Sequence, residues 1–413
     1  MAMISRRRFL SVAALTGAAG VAAWRAWPEQ GVLNPCLGPL PDDLAQNPLV
    51  REAWADLEPA QIWDTHVHLL GDGGNDAGAW FNEGSGTLRW PLLAAQRRFF
   101  LNATCLEGST NVDAAYVARL DALAQPFPAG CRLLLLALDG YHDASGTLQT
   151  GRTHFSVPND YCARVAEAVP ARFEWAASVH PYRADAVAEL DRVHALGARA
   201  VKWIPAAQGI DPAEPRCDRF YEALARLDLP LIAHAGTERA APGDDALGNP
   251  LRLRRAIEHG VRVVVAHCAT MGTGRDLDVG PHGPWIDNFG LFQRMMDAPA
   301  SAGRLYGDLS AVTQTARAGP ALARIVERAS EGGDWEGRVL NGSDYPLPGI
   351  MPLYSPRQLV EAGLLDASAA APLTAIRRHN PLVFDFVLKR HLRSGSRRLA
   401  PRVFETRRFF LRP

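Results

Sequence analysis

Lysine is almost absent from this chain. Of its 44 basic residues only Lys202 and Lys389 are lysine, and the other 42 are arginine. Arginine does not shed its proton inside a protein, whereas lysine can. A site that needs a deprotonatable amine therefore has two candidates. Lys202 stands out because it interrupts a short apolar run, "AVKWIP" (200–205). Net charge is also absent, since 44 acidic residues balance the 44 basic ones. That removes any global pull towards nucleic acid or an anionic membrane surface. The six cysteines (Cys36, Cys105, Cys131, Cys162, Cys217 and Cys268) contain no C-x-x-C pair, which excludes a zinc ribbon. Cys131 and Cys268 lie in or beside apolar runs and read as small buried hydrophobes. No G-x-S-x-G elbow, Walker loop or strand-following G-x-G-x-x-G occurs, so serine-hydrolase, P-loop and dinucleotide chemistry have no foothold.

No run is long enough to span a bilayer comfortably. The mildly apolar stretch Val12 to Ala23 falls short of the about 20 residues a membrane helix needs. It follows "SRRRFL" (5–10), and the two together resemble a twin-arginine export signal. Residues 1–27 are therefore read as that signal segment, and residues 28–60 as an extension preceding the fold. The implied partner is the twin-arginine export machinery, and the implied location is the periplasm. A membrane anchor arises only if the signal is retained, because no clean A-x-A cleavage site is present. That export route carries folded cargo, so a cofactor is expected to be loaded before export. In an oxidising compartment disulfides are permitted, although a chain of this size does not depend on them. The segment 392–413 is read as a basic C-terminal tail, solvated and covering helices.

What the chain does contain is rhythm. Eight short apolar runs recur: Ile62–Val67, Cys131–Leu138, Phe173–Val179, Arg199–Ile204, Leu229–Ala233, Val261–Ala266, Leu305–Leu309 and Val339–Gly342. Between them lie amphipathic stretches such as Val112–Ala124 (with Asn111 as its cap), Ala184–Leu196, Cys217–Arg226, Pro250–Glu258 and Pro320–Ala329. Strands alternating with helices argue for parallel β/α units, and eight of them for an α/β protein with a closed (β/α)8 TIM barrel over 61–391. The long intervals Leu69 to Gly130 and Cys268 to Leu305 read as loops at the barrel mouth, where such a fold builds its pocket.

The residues at the C-terminal ends of these runs share one chemistry. Strand 1, "IWDTHVHLL", carries His66 and His68 two apart, on one face of the strand. Strand 4 carries Lys202, strand 5 ends at His234, strand 6 at His267 and strand 8 at Asp344. Neutral imidazoles converging with a carboxylate are ligands for a borderline divalent cation, zinc first among them. Any one of these histidines alone would more often be structural. Six such residues on the strand ends of one barrel face make a metal site. Asp308, ending strand 7, is placed to orient a ligand histidine from behind. His180, Tyr141 and Arg239 are candidates for contacting substrate, and a structural or solvated role weighs equally or more for each. Trp203 alternates with Lys202 and so faces the helices.

The pieces "WDTHVH", "AVKWIP", "LPLIAHAG", "VVVAHCA", "NGSDYPLP" and "HNPLVFDF", in that order from about Ile62 to Leu388, resemble the amidohydrolase superfamily. The wording is that of its amidohydrolase-related branch, the aminocarboxymuconate-semialdehyde decarboxylase-like enzymes. The resemblance implies that His66, His68, His234 and Asp344 ligate metal and that Asp344 is also general base. His267 would act on substrate or protons in a one-metal site. In a two-metal site, carbamylated Lys202 would bridge the ions, with His234 and His267 on the second. An ammonium at Lys202 holding substrate, or a merely packed lysine, are the other readings of that residue. The implied activity is hydrolysis of a lactone, ester or amide by metal-activated water. Decarboxylation or hydration by the same branch is the alternative, and a catalytically silent envelope protein is a third. Substrate identity and homo-oligomer formation are not written in these motifs.

Overall fold

Each expected run forms a strand, trimmed by a residue or more at one or both ends. The computed structural model describes residues 30–73, 78–82, 84, 87 and 90–411. The twin-arginine segment lies outside them. The strands are β1 (Trp63–His68), β2 (Arg132–Leu136), β3 (Phe173–Ala176), β4 (Val201–Trp203), β5 (Leu231–His234), β6 (Val263–Ala266), β7 (Leu305–Asp308) and β8 (Val339–Leu340). Parallel ladders join β1 to β2 to β3, and β4 through β5, β6 and β7 to β8. Two parallel bridges complete the ring. Ala177 pairs with Val201, and Val67 with Tyr345 just beyond β8. The last closure is reinforced where Thr65 N donates to Asn341 O and His68 N to Tyr345 O. The architecture is a closed (β/α)8 barrel.

The sequence dictates this through residues that bury both faces of each strand. "RLLLL" in β2 and "VVVA" in β6 are apolar on successive positions, as parallel strands covered by helices must be. Inward-facing residues fill the barrel's axis, among them Trp63, Leu134, Leu136, Ala200, Ile232 and Val264. Their outward neighbours join the helical shell: Trp203 is fully buried against Phe220 and Tyr221. Because Ala200 faces in and Trp203 faces out, the two-residue period turns Lys202 inward.

The helices are marked locally. Asn111 caps α1 (Val112–Ala124) by accepting from Ala114 N. Asn380 opens α2 (Pro381–Arg390) by accepting from the Leu382 and Val383 amides, while its own Nδ2 donates to Leu123 O. One asparagine thus starts a helix and ties it to another.

Two expectations are corrected here. The Leu69–Gly130 interval is not simply loop: besides α1 it holds a helix over Pro91–Ala103, and Trp80–Phe81 pairs antiparallel with Phe155–Ser156. The tail 392–413 is not a free solvated segment either. Phe409 and Phe410 are buried and plug the N-terminal end of the barrel, Phe410 stacking on Trp63 at 5.6 Å. Thr406 Oγ1 donates to Trp63 O at 2.7 Å. Arginine dominates the tail's composition, but its two phenylalanines decide its place.

The extension ahead of β1 is tied down covalently. Cys36 is disulfide-bonded to Cys105, 69 residues on, and the other four cysteines are free and buried. Closing a loop of that length removes about 4 kcal/mol of chain entropy from the unfolded state. Replacing both cysteines by serine is expected to destabilise the fold by about 2–4 kcal/mol. Urea unfolding with and without reductant measures this, and reductant should leave the double variant unaffected.

Candidate metal centre

The mouth residues converge as side chains. His66 and His68 leave β1 on the same face, and Asp344 follows β8 in the left-handed region at φ 61°. His66 Nε2 is 3.5 Å and His68 Nε2 3.3 Å from Asp344 Oδ1. One donor atom from each of the three lies within 4.8 Å of the others. His267 Nε2 stands 3.8 Å from Asp344 Oδ2, and its ring packs 5.0 Å from that of His234. Lys202 Nζ is 2.9 Å from His66 Nε2. Left-handed backbone also recurs at His267, Cys268 and Ala269 (φ 57°, 48° and 51°), at the exit of β6. Such strain in non-glycine residues persists only where surrounding structure enforces it, typically at functional sites. Gly342 permits the close approach of β8 to β1, because a Cβ there would come within 2.9 Å of the His66 Cβ.

Three histidines are held in the same protonation pattern. His66 Nδ1 faces Asp308 Oδ2 at 2.9 Å, His234 Nδ1 faces Glu238 Oε2 at 3.3 Å, and His267 Nδ1 faces Ser310 O at 2.9 Å. The Nδ1 of His66 and of His267 meets a hydrogen-bond acceptor and is assigned the proton, which leaves Nε2 as a lone pair; the Glu238 carboxylate favours the same tautomer at His234. Burial, then the Lys202 charge, pushes His66 down to about 4. Burial likewise lowers His234 and His267, so none of the three becomes cationic near neutrality. Burial alone would raise Asp344, but the imidazoles of His267, His66 and His68 hold its carboxyl well below the usual range. Asp308 behaves alike: His66 and His267 outweigh its burial and keep it ionised.

This donor set fits a divalent cation. Imidazole lone pairs backed by carboxylates and a carbonyl, together with an ionised aspartate, are what such an ion takes. A specific observation supports the fit: His234 Nε2 is buried and has no hydrogen-bond partner among the described residues. A buried polar atom left so is costly unless a ligand satisfies it.

The other sequence candidates separate. Asp308 stands behind His66, as its strand-end position suggested, and its Oδ1 also accepts from His267 N at 2.8 Å. Arg239 lines the cavity over the cluster. His180 and Tyr141 do not line it, which corrects their placement at the substrate. β3 ends at Ala176, with Ala177 still bridged to Val201, and His180 lies four residues beyond the strand: its Nε2 meets Gln208 O at 3.0 Å and its Nδ1 accepts from Tyr182 N. Tyr141 lies under the Arg152 guanidinium at 3.8 Å. Sequence reasoning missed Glu238, Ser310, Gln314 and Arg317. Glu238 is four residues beyond His234 and Ser310 two beyond Asp308, spacings that could have flagged them. Gln314 and Arg317 carry no such signal.

Residues 63–382 match the family model described as Amidohydrolase. The chain belongs to the amidohydrolase family. A comparison with curated proteins finds no match to this amidohydrolase. Solved structures similar to it include the uncharacterized TIM-barrel protein Bb4693 from Bordetella bronchiseptica, at 18% identity and TM-score 0.46, covering 76% of this chain and 99% of that one. Another is 5-carboxyvanillate decarboxylase LigW from Sphingomonas paucimobilis, at 14% identity and TM-score 0.43, covering 79% and 98%. A third is 5-carboxyvanillate decarboxylase from Novosphingobium aromaticivorans, complexed with manganese and 4-hydroxy-3-methoxy-5-nitrobenzoic acid, at 16% identity and TM-score 0.41, covering 79% and 95%.

Proposed function

We propose that this amidohydrolase is a metal-dependent hydrolase that cleaves a lactone, ester or amide carbonyl of a small molecule. The observation that carries the reading is the convergence of His66, His68, His234, His267, Lys202 and Asp344 at the floor of one cavity. No ligand position is lost, which speaks against a silent barrel. A divalent cation held there, zinc in this proposal, lowers the pKa of water to about 7 and polarises a carbonyl. His66, His68 and Asp344 would hold the first ion, and His234, His267 and carbamylated Lys202 a second.

The chain's own residues supply the rest. Asp344, ionised and buried, accepts the proton of the attacking water and returns it to the departing oxygen or nitrogen. Asp308 and Ser310 fix the rings of His66 and His267, so that neither turns when a proton moves. Phe81, Phe99, Phe100 and Phe155 give the cavity an apolar wall beside the reacting carbonyl.

The test joins elemental analysis to turnover. Protein matured with its metal supply is expected to carry tightly bound divalent metal and to hydrolyse members of a panel of lactones, aryl esters and acylated amines. Metal-free protein, or metal-loaded protein that releases carbon dioxide from aromatic acids and leaves the panel intact, would overturn the hydrolase reading.

We further propose export by the twin-arginine route. The Cys36–Cys105 disulfide supports it, since such bonds persist in oxidising compartments. Arg6→Lys with Arg7→Lys is expected to retain the protein in the cytoplasm, as fractionation would show. Unchanged export of the double variant sinks this route.

A further inference from the structure

Above the metal centre lies a cavity of about 610 Å³, large enough for a drug-sized molecule. Its upper wall is apolar. Phe81 and Phe155 come from the antiparallel ribbon, Phe99 and Phe100 from the Pro91–Ala103 helix, and Leu347 and Leu353 from the segment after β8. Its deep wall carries Arg317, only 9% exposed. Arg317 Nη1 donates to Thr270 Oγ1 at 3.2 Å and Nε to Gln314 Oε1 at 3.4 Å. No carboxylate among the described residues lies within ion-pair distance of it. By contrast Arg252 pairs with Asp211 at 2.7 Å and Arg255 with Asp218 at 2.6 Å, while Arg338 and Arg390 donate to backbone carbonyls. A guanidinium is a planar fork suited to a carboxylate, and burying one against neutral partners only is costly.

A bland account is available: Arg317 offsets the nearby charges of Asp344 and Glu238, both of which act on it. That role needs only a positive charge somewhere near the floor. It does not explain a fork with its remaining edge towards the cavity. In the lining, Arg239 and Arg317 balance Glu238 and Asp344, so a divalent cation held at the floor would leave the pocket net positive. A neutral substrate would waste that field, and an anion would use it.

We propose that the substrate is an anionic amphiphile, its carboxylate gripped by Arg317 and its apolar body laid against the phenylalanine wall. Its scissile carbonyl lies between the two, over Asp344. The position of that carbonyl rests on the hydrolase reading, whereas the binding mode stands without it. Affinity, not turnover, therefore tests the proposal.

The probes are 3-phenylpropionate and its neutral counterpart 3-phenylpropanamide, titrated calorimetrically into the metal-loaded full chain. Wild type is expected to bind the acid at least ~10-fold more tightly than the amide, the scale of a charge-assisted hydrogen-bonded pair. Arg317→Gln should erase the preference by weakening the acid alone, at unchanged metal content. Arg317→Lys should retain part of it, and serves as the comparison if the glutamine variant does not fold. Phe100→Ala should weaken both probes alike. Three results overturn the proposal: no preference in wild type, a preference that survives in Arg317→Gln because the metal or Arg239 holds the acid, or equal weakening of both probes by Arg317→Gln. Failure of the wild type to hydrolyse anything would refute the proposed reaction and leave these outcomes readable.

Discussion

Asp344→Asn is expected to lower kcat/KM by a factor of about 10²–10⁴ on any substrate the wild type hydrolyses, the range for removing a general base. The fold should survive. Asparagine has nearly the same shape, and with aspartate it is among the side chains that best tolerate the left-handed backbone at φ 61°. What disappears is charge and basicity. The amide oxygen accepts no proton at neutral pH and balances no cation. In wild type the imidazoles of His267, His66 and His68 outweigh burial and hold Asp344 well below the usual carboxylate range, so the base is ionised near neutrality. Activity should therefore show no acid limb from Asp344 near neutrality. Steady-state rates, circular dichroism and metal content of the variant check this together. Turnover within threefold of wild type, with metal retained, would remove Asp344 from the role of base.

The part of this site that was legible in the sequence is the part written by strand register. A strand has a period of two, so H-x-H on β1 must place His66 and His68 on one face, and the residue closing each parallel strand must face the mouth. His234 follows from that rule, and so does the opposite facing of Lys202 and Trp203; His267, one residue past β6, and Asp344, four past β8, are brought to the mouth by the strands but turned by left-handed backbone. What the sequence hid depends on how the chain leaves a strand. His180 looks like a strand end, but β3 stops at Ala176 and the His180 ring, four residues on, is engaged by Gln208 O. Arg317 lies in the long connection after β7, where no period applies, and only the folded path brings it beneath the cavity. The Cys36–Cys105 pair was equally hidden, because six cysteines allow many pairings and spacing selects none. The tail shows a further limit. Its net charge predicts solvation, yet two buried aromatic rings outweigh many arginines whose heads still reach water.

Lys202 carries the second large prediction. It is 1% exposed, 2.9 Å from a histidine lone pair, and has no carboxylate within ion-pair distance among the described residues. An ammonium there would be a buried charge with a neutral imidazole but no carboxylate at ion-pair distance, and a divalent cation held beside it would repel it. Burial works against that form and lowers the amine's pKa. A neutral amine can instead add carbon dioxide: an N–C bond forms, one N–H proton leaves to solvent, and the resulting carbamate carries the negative charge a second cation needs. Wild type matured with metal and bicarbonate is thus expected to hold about two ions per chain, in keeping with two-metal hydrolytic sites. Labelling with ¹³C-bicarbonate should give a carbamate carbon signal that Lys202→Met lacks. Lys202→Met and Lys202→Arg should each drop the count to about one. Both should lose about 10²–10³ in kcat/KM, equivalent to several kcal/mol of transition-state stabilisation. Arginine fails despite keeping the charge, because a guanidinium cannot become a carbamate. One ion and a bare amine in wild type would discard the two-metal form and return Lys202 to a substrate-holding cation. In that case Lys202→Arg should retain much of the activity that Lys202→Met loses, so the arginine variant separates the two chemistries.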